Sequence, residues 1–365
     1  MAFSLPKFTP PDFSSDIYKN VSNINFAEAR HDGIAPDGFY LTTHMPTYYY
    51  YQGKWMLPKH NSQNCVAVFQ EDEIIVKELE RIEAGDKIIL SEEASLQNGI
   101  LVYKEGFEES VIAEPLRSVE SSFCNDYRYL ADLMRHEKEN GGHIVWVLGP
   151  SVVFDYYTRI GLSQLAEHGY VQALLAGNAM ATHDLEAGYL ETALGQNIYT
   201  QESVHLGHYN HLDLLNEVRR AGSINEFIKE GNVKDGFIKT LDKLDIPYVL
   251  VGSIRDDGPL PEVFTNVSKG LDAMKEQTDK ATLIIGLATM LHSVSAAELA
   301  SSYRVKEDGT IVPVFMYSVD VTENVVNKVM AAREYIAVKP IVTNAQDFVV
   351  NVQKELIKSS ESDRR

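Results

Sequence analysis

Six apolar runs from residue 143 onwards constrain the fold most strongly. Each run lacks polar alternation, and stretches with helical periodicity separate the runs. A strand without polar alternation is buried on both faces, which is typical of a parallel sheet covered by helices on each side. The sequence therefore predicts an α/β domain over residues 143–357. The runs are HIVWVLGP, VQALLAGN, IPYVLVGS, ATLIIGLAT, IVPVFMYSVD and IAVKPIVTN.

Short aromatic and β-branched runs between residues 36 and 110 indicate a second, smaller domain. Gly, Asn and Asp turn signals separate these runs, which is a pattern typical of a small β-barrel or sandwich. A connecting helix is predicted within residues 111–142, ending at a Gly-Gly pair. Residues 1–35 are predicted to form an extended arm or irregular cap, and the polar residues 358–365 a disordered tail.

Charge and cysteine content limit the possible partners. The 365 residues include 33 Lys and Arg and 52 Asp and Glu, so the formal net charge is -19 at pH 7. This charge argues against nucleic acid or an anionic membrane as a partner. With only Cys65 and Cys124, a disulfide framework or a four-cysteine zinc site is excluded. The start does not resemble a signal peptide and no apolar run has the ~20 residues of a membrane span, so we expect a cytoplasmic protein.

Glycines and small polar residues follow several of the predicted parallel strands. In open α/β sheets, ligands bind beyond the carboxyl ends of the strands, and helix N-termini there favour phosphate. A nucleotide is therefore the expected ligand, although tight strand-to-helix turns would also explain the glycines. No Gly-x-Gly or Walker A sequence occurs. The candidate cofactor-binding residues are Gly149, Pro150, Ser151, Gly177, Asn178, Gly252, Ser253, Thr289, His292 and Asp320, with a further strand-end glycine at Gly286.

Several of these positions have a second interpretation. Asp320 can accept hydrogen bonds from ribose hydroxyls or can cap the following helix. The stretch VLVGSIRDDGPLPEV, residues 249–263, places Arg255, Asp256 and Asp257 after an apolar strand. Such a cluster is either a self-neutralising surface turn or part of a site for a small charged ligand.

Histidine-containing segments supply further candidates. In GNAMATHDLEAG, the residues His183, Asp184 and Glu186 lie at or inside the start of a helix, where they either favour the helix dipole or act as acid/base groups. Three histidines follow at a spacing of three residues, which could bring their imidazoles together on one helical turn. A metal site is disfavoured because no further ligand is evident, and positions beside an active site or a subunit contact are favoured. These histidines are His205, His208 and His211. Cys65 is expected to be a buried small side chain rather than a thiolate.

Taken together, these segments resemble the archaeal-type ornithine cyclodeaminases. The same module forms the C-terminal part of cyanobacterial arginine dihydrolase/ornithine cyclodeaminase proteins and is also known as an LOR/SDH domain. The resemblance covers residues 36–357 and rests on the blocks GFYLTTHMPTY, LLAGNAMATHDLEAG, GHYNHL, RRAGSI, VLVGSIRDDGPLPEV and LATMLHS. The chain departs from the family at His44, where asparagine is expected, and at Asn210, where histidine is common. From this resemblance we also expect most of the N-terminal domain of longer relatives to be missing.

The resemblance implies a small β domain followed by a Rossmann-like, deoxyhypusine-synthase-like domain that binds NAD. It also implies a homo-oligomer that converts L-ornithine to L-proline and ammonia without net redox change. In that reaction Arg255 suits the substrate carboxylate, and carboxylates suit its ammonium groups. An enzyme of the same family with another diamino or opine-like substrate, and an NAD-binding protein without turnover, are the alternatives. The implied catalytic residues are Arg255, Asp256, Asp257, His183 and Asp184, and the implied substrate-binding residues are His44, Cys65, His208 and His211.

Overall fold

Two antiparallel sheets form the N-terminal part of the protein, a computed structural model of which describes residues 3–112 and 127–358. One sheet has the strand order β1-β6-β4-β5 and the other β3-β2-β7. The predicted small β domain is therefore present. Its strands are β1 (Asn25–Glu28), β2 (Thr47–Tyr51), β3 (Lys54–Met56), β4 (Val66–Gln70), β5 (Glu73–Lys77), β6 (Lys87–Leu90) and β7 (Ile100–Val102).

Part of the segment predicted as an arm or irregular cap forms strand β1. Strand β1 pairs with β6 along its whole length. The ring of Phe26 stacks on that of Phe69, with the ring centroids 5.4 Å apart. Weak local periodicity concealed this strand because its partners lie more than 40 residues further along the chain.

A six-stranded parallel sheet forms the centre of the second part. Its order is β12-β9-β8-β13-β16-β17, and every neighbouring pair is parallel. The predicted α/β architecture is confirmed. Strands β10 with β11 and β14 with β15 form separate antiparallel pairs, so the predicted run IVPVFMYSVD is divided between two sheets. The strands are β8 (Ile144–Leu148), β9 (Ala173–Gly177), β10 (Thr192–Ala193), β11 (Gln196–Asn197), β12 (Tyr248–Val251), β13 (Leu283–Leu287), β14 (Tyr303–Val305), β15 (Ile311–Pro313), β16 (Phe315–Asp320) and β17 (Val338–Val342).

Ten helices in the described ranges connect and cover these strands. Four of them begin at a side chain that accepts a backbone N–H of the first turn, namely α2, α5, α7 and α10. The helices are α1 (Tyr127–Glu139), α2 (Tyr156–Glu167), α3 (Asn178–Leu190), α4 (Asn210–Ala221), α5 (Ile224–Lys229), α6 (Phe237–Lys243), α7 (Val267–Thr278), α8 (Leu291–Leu299), α9 (Glu323–Ala332) and α10 (Ala345–Gln353). None of the described helices is long and apolar enough to cross a membrane.

Helix α1 corresponds to the second half of the predicted connecting segment. The predicted start of that helix and Cys124 lie outside the described residues, as does the predicted tail after residue 358. The boundaries between the predicted domains therefore stay predictions.

Alternate residues of the central strand β8 belong to two different cores. Trp146 and Leu148 pack in the larger apolar cluster, whereas Val145 and Val147 pack in a second cluster on the other face of the sheet. Both sets are fully buried. This burial explains why the strand sequence shows no polar alternation.

The direction of strand addition reverses between β8 and β13. The chain proceeds from β8 through β9 to β12 on one side, then returns to β13 and proceeds through β16 to β17 on the other. This order is typical of dinucleotide-binding folds, in which the ligand lies beyond the carboxyl ends of the strands at the reversal. We call the space beyond Gly149, Gly177, Gly252 and Ala288 the strand-end cleft.

Candidate functional site

The backbone at the reversal point leaves no room for a side chain at Gly149. Its amide donates a hydrogen bond to the Leu287 carbonyl at 2.9 Å. A Cβ atom built on Gly149 would lie 1.8 Å from the carbonyl oxygen of Ala288 and 3.1 Å from the Cβ of Thr289. Ala288 itself has a φ of 56°, which is uncommon for a residue other than glycine. The structure therefore brings the segments after β8 and β13 together, and with them the candidates Gly149 and Thr289.

His292 lies over the ends of the next two strands. A Cβ atom on Gly177 would be 3.2 Å from the Cε1 atom of His292. Burial lowers the pKa of His292, while the Val251 carbonyl and the charge of Asp256 act in the opposite direction. This cofactor candidate therefore contributes a mostly buried imidazole to the strand-end cleft.

Gly286 is the penultimate residue of β13 rather than a residue beyond the strand end, and its contact with a ligand stays a prediction. It is the fourth residue of β13, and a Cβ atom there would be 2.6 Å from the Oγ atom of Ser293 in helix α8. The glycine permits close packing of strand and helix. The apolar run predicts the strand but not which helix crosses it.

The turn after β12 is held by side-chain hydrogen bonds. Asp256 accepts from the amide of Ser253 at 2.8 Å and from its hydroxyl at 3.3 Å. Asn178 donates to the Gly258 carbonyl at 3.2 Å and accepts from the Leu260 amide at 2.9 Å. Asn178, a cofactor candidate, therefore holds this turn against the start of α3, and Asp256 stabilises the turn from within.

Arg255 and Asp257 do not neutralise each other. Asp257 pairs with His211, with 3.1 Å between the Oδ2 and Nε2 atoms. The guanidinium of Arg255 is exposed and makes no ion pair in the described part of the chain. The self-neutralising turn that the sequence left open is thus not formed, and both signs of charge are available at the strand-end cleft.

A second histidine–carboxylate pair lies beside the first. The Nδ1 atom of His183 is 2.7 Å from Oε2 of Glu186, whose Oε1 accepts from Thr192 at 2.8 Å. The ring centroids of His183 and His211 are 5.9 Å apart. The sequence interpretation left Glu186 as either a helix-dipole residue or an acid/base group and did not include it among the catalytic candidates. Its spacing of three from His183 on one helix was the signal that could have identified the pair.

Asp184 lies in a different environment from its neighbour His183. Its Oδ1 atom is 2.8 Å from Nε of Arg159, and its Oδ2 accepts from the Ile238 amide at 2.7 Å. The side chain of Asp184 is 1% exposed. These contacts occupy the carboxylate in the protein interior, so the geometry favours a structural role over the predicted catalytic one.

His44 and Cys65 lie far from the strand-end cleft in this chain. The carbonyl of His44 accepts from Ser302, and its amide donates to Glu334. Ser302 follows α8 and Glu334 follows α9, and both helices run back from the cleft to the amino ends of the strands. Cys65 is buried near Glu298 in the last turn of α8, and burial raises the pKa of its thiol to about 12. The structure does not bring these two predicted substrate-binding residues to the cleft.

The remaining candidates, Asp320, His205 and His208, do not share a common site. Asp320 ends β16 and accepts from the amide and hydroxyl of Thr322 at 3.0 Å, but the N-cap of α9 is Thr322 itself. His205 and His208 are exposed and precede α4, which contains only His211, so the predicted common helical turn is not formed. No cluster of three or more metal-binding side chains occurs in the described residues.

Comparison with protein families decides the relationship. Residues 128–352 match the family described as arginine dihydrolase ArgZ-like, C-terminal, Rossmann fold. The chain belongs to this family. The match confirms both the resemblance stated from the sequence and the Rossmann-like architecture.

Individual relatives agree with the family match. An ornithine cyclodeaminase from Methanopyrus kandleri is 33% identical over 348 residues, which cover 92% of this chain and 79% of the relative. The crystal structure of a conserved LOR/SDH protein from Methanococcus maripaludis S2 is 31% identical, has a TM-score of 0.82 and matches 93% of this chain and 100% of its own. A ternary complex of AgrE with ornithine and NAD⁺ is 29% identical with a TM-score of 0.58, and the match covers 95% of this chain and 48% of AgrE.

Proposed function

We propose that this protein is an NAD-dependent ornithine cyclodeaminase, which converts L-ornithine to L-proline and ammonia. The observation that carries the proposal is the strand-end cleft, where close-packed backbone at Gly149 lies near two histidine–carboxylate pairs and the unpaired Arg255. Names and ligands of the relatives support it, since the archaeal relatives are ornithine cyclodeaminases and AgrE binds ornithine and NAD⁺.

The residues at the cleft fit a dinucleotide. Helices α3, α8 and α9 follow directly after β9, β13 and β16, and none of them has a hydrogen-bonding side-chain N-cap. Their first amide groups are therefore available to an anion such as a pyrophosphate. We propose that the cofactor contacts the backbone of Gly149, Pro150 and Gly177. The hydroxyl groups of Ser151 and Thr289 then donate hydrogen bonds to it. Asp320 remains the candidate for the ribose. Gly252 and Ser253, directly after β12, are the remaining predicted cofactor-binding residues.

The charged side chains suit an amino acid with two amines. Arg255 can bind the α-carboxylate through two parallel hydrogen bonds, and Asp257 can bind an ammonium group. NAD⁺ accepts a hydride from the substrate and returns it later in the cycle, which is the redox chemistry that the protein itself lacks. The ornithine cation yields neutral proline and an ammonium ion, so the site needs no external reductant and takes up no net proton.

Assembly and location belong to the same proposal. We infer a cytoplasmic homo-oligomer that acts in proline biosynthesis. Support for assembly comes from a run of large apolar side chains between residues 194 and 212 that are at least 38% exposed, which is unusual for a free surface. They are Leu194, Tyr199, Val204, Leu206, Tyr209 and Leu212.

The deciding experiment is an assay without added reductant. The protein is incubated with NAD⁺ and L-ornithine, and ammonia and proline are measured along with the absorbance of NADH. We expect equal amounts of ammonia and proline with no accumulation of NADH, and we expect chelators to leave the rate unchanged. Accumulation of NADH would identify a dehydrogenase, and absence of product from NAD-loaded protein would exclude turnover of ornithine. Lysine and 2,4-diaminobutyrate in parallel reactions test the choice of diamino acid.

A further inference from the structure

Glu186 is a buried carboxylate with a defined set of partners. Its side chain is fully buried, whereas that of His183 is 12% exposed. Its Oε1 accepts from the Thr192 hydroxyl at 2.8 Å, and that hydroxyl in turn accepts from the amide of Asn210 at 2.7 Å. The hydrogen bond from Thr192 occupies Oε1 of Glu186, and the second oxygen, Oε2, faces His183. Hydrogen bonds must offset the free-energy cost of burying a carboxylate away from solvent, and the imidazole of His183 supplies one of them.

The contact with Glu186 determines which nitrogen of His183 carries the proton. An ionised carboxylate only accepts hydrogen bonds, so the Nδ1 atom of His183, 2.7 Å from Oε2, must be the donor. In the neutral ring the Nε2 atom then has a free lone pair. The described residues provide no hydrogen bond to that Nε2 atom.

The ring of His183 lies at the edge of the strand-end cleft. It packs edge-on against Phe154, which follows the turn after β8, with the centroids 5.6 Å apart. On another side it lies 5.9 Å from the ring of His211, which is bonded to Asp257 at the end of β12. His183 therefore lies beside both the strand-end cleft and the proposed ammonium site at Asp257.

We propose that Glu186 is a positioning residue that holds His183 as the proton acceptor of the reaction. The inference rests on the proposed function. A proton leaves a substrate amino group for Nε2 of His183 as the carbon–nitrogen double bond forms and the hydride leaves for the cofactor. The same proton returns to the departing ammonia, so the histidine ends the cycle neutral. Glu186 keeps its hydrogen bond to Nδ1 and stabilises the intervening imidazolium, in the manner of the carboxylate in a Ser-His-Asp triad.

A double-mutant cycle separates this role from a structural one. We expect Glu186→Gln to lower kcat about 10²-fold or more, with the KM for ornithine and the affinity for NAD changed less than about threefold. In a His183→Asn background, the same change should cost less than about threefold, because the two residues act as a unit. Additive losses would show that Glu186 only supports the fold and would overturn the proposal. The matched control is Glu191→Gln, a half-exposed carboxylate paired with Lys234 at the end of the same helix, which should leave kcat unchanged.

The tautomer of His183 can be measured without turnover. Long-range ¹⁵N–¹H correlation spectra of the wild-type protein, with His183 assigned by comparison with His183→Asn, should show a protonated Nδ1 and an unprotonated Nε2. An Nε2-protonated ring would contradict the proposal even if the enzyme is active. If the wild-type protein releases no ammonia from ornithine, the proposed function fails, and the spectrum still decides whether Glu186 sets the tautomer.

Discussion

His44 combines complete burial with an ionisable ring. Burial lowers its pKa to about 3, the charge of Arg333 adds to the shift, and the Ala332 carbonyl opposes it. Neither ring nitrogen has a hydrogen-bond partner of normal geometry in the described residues. The carbonyl of Ala332 therefore acts only as a nearby dipole. The buried environment of His44 therefore favours the neutral form of its imidazole.

Acid should destabilise the protein through His44. The unfolded chain binds a proton at this residue below about pH 6.5, whereas the folded chain does so only near the lowered pKa of about 3. The stability is thus complete above pH ~6.5 and declines as the pH falls, by about 1.4 kcal/mol per pH unit. His44→Asn, which places the residue expected for the family, should remove this contribution. Urea unfolding of both proteins between about pH 6 and about pH 4 measures the difference in slope. Parallel curves would contradict the assignment.

The two adjacent aspartates have different partners and therefore different expected effects. Within residues 3–112 and 127–358, Asp257 has His211 as its one hydrogen-bonding or ion-pair partner, whereas Asp256 holds the turn through Ser253. We expect Asp257→Asn to lower kcat about 10²- to 10⁴-fold with little change in melting temperature. Asp256→Asn keeps one acceptor oxygen for the Ser253 amide and should change the rate less. Steady-state kinetics and thermal melts of both variants test this order, and near-wild-type turnover in Asp257→Asn would exclude Asp257 from the chemistry.

At the level of elements, the parallel pairing of β8 with β13 determines the shape of the cleft. The two strand ends approach so closely that a methyl group at Gly149 would overlap the Ala288 carbonyl. Because the clashing atom belongs to the backbone directly after β13, no side-chain rotation can relieve the contact. The strands must separate, or the turn after β8 must move.

Gly149→Ala should therefore weaken both stability and NAD binding. We expect a loss of about 1–3 kcal/mol in the free energy of unfolding, in the range for overpacked interiors, and at least a tenfold weaker affinity for NAD. Gly309→Ala is a suitable control, because that glycine also belongs to a turn but has open space around its Cβ position and lies away from the cleft. Because the φ of Gly309 is positive, Gly309→Ala should lose a little stability, but its affinity for NAD should stay unchanged. Unchanged NAD affinity in Gly149→Ala would remove this residue from the cofactor site.

For the whole molecule, a bound dinucleotide should stabilise the folded state. With a micromolar to ten-micromolar dissociation constant, NAD at 100 times that concentration adds about 2.7 kcal/mol to the free energy of unfolding. Melting temperature should rise by about 5–10 °C in a domain of this size. Differential scanning fluorimetry with and without NAD measures the shift, and mass spectrometry of denatured protein shows whether NAD is already bound. No shift, no co-purified nucleotide and a flat calorimetric titration together would contradict the NAD site.

The sequence by itself determined the fold class, most strand positions and the family. Those features depend on local pattern, since a strand buried on both faces needs an unbroken apolar run wherever its neighbours lie. The approximate location of the cleft followed as well, because the carboxyl ends of parallel strands always meet at one edge of the sheet.

Tertiary structure alone decided which side chains meet. Asp257 and His211 are 46 residues apart, and His44 and Ser302 are 258 apart, so no local pattern relates them. Asp184 and Glu186 are nearly adjacent in one helix, yet one binds Arg159 in the interior and the other binds His183 beside the cleft. Residues two apart on a helix point in directions that differ by about 200°, so their environments are set by whichever elements the strand order packs against each side. That order, rather than residue type, separates the proposed positioning carboxylate from the structural one.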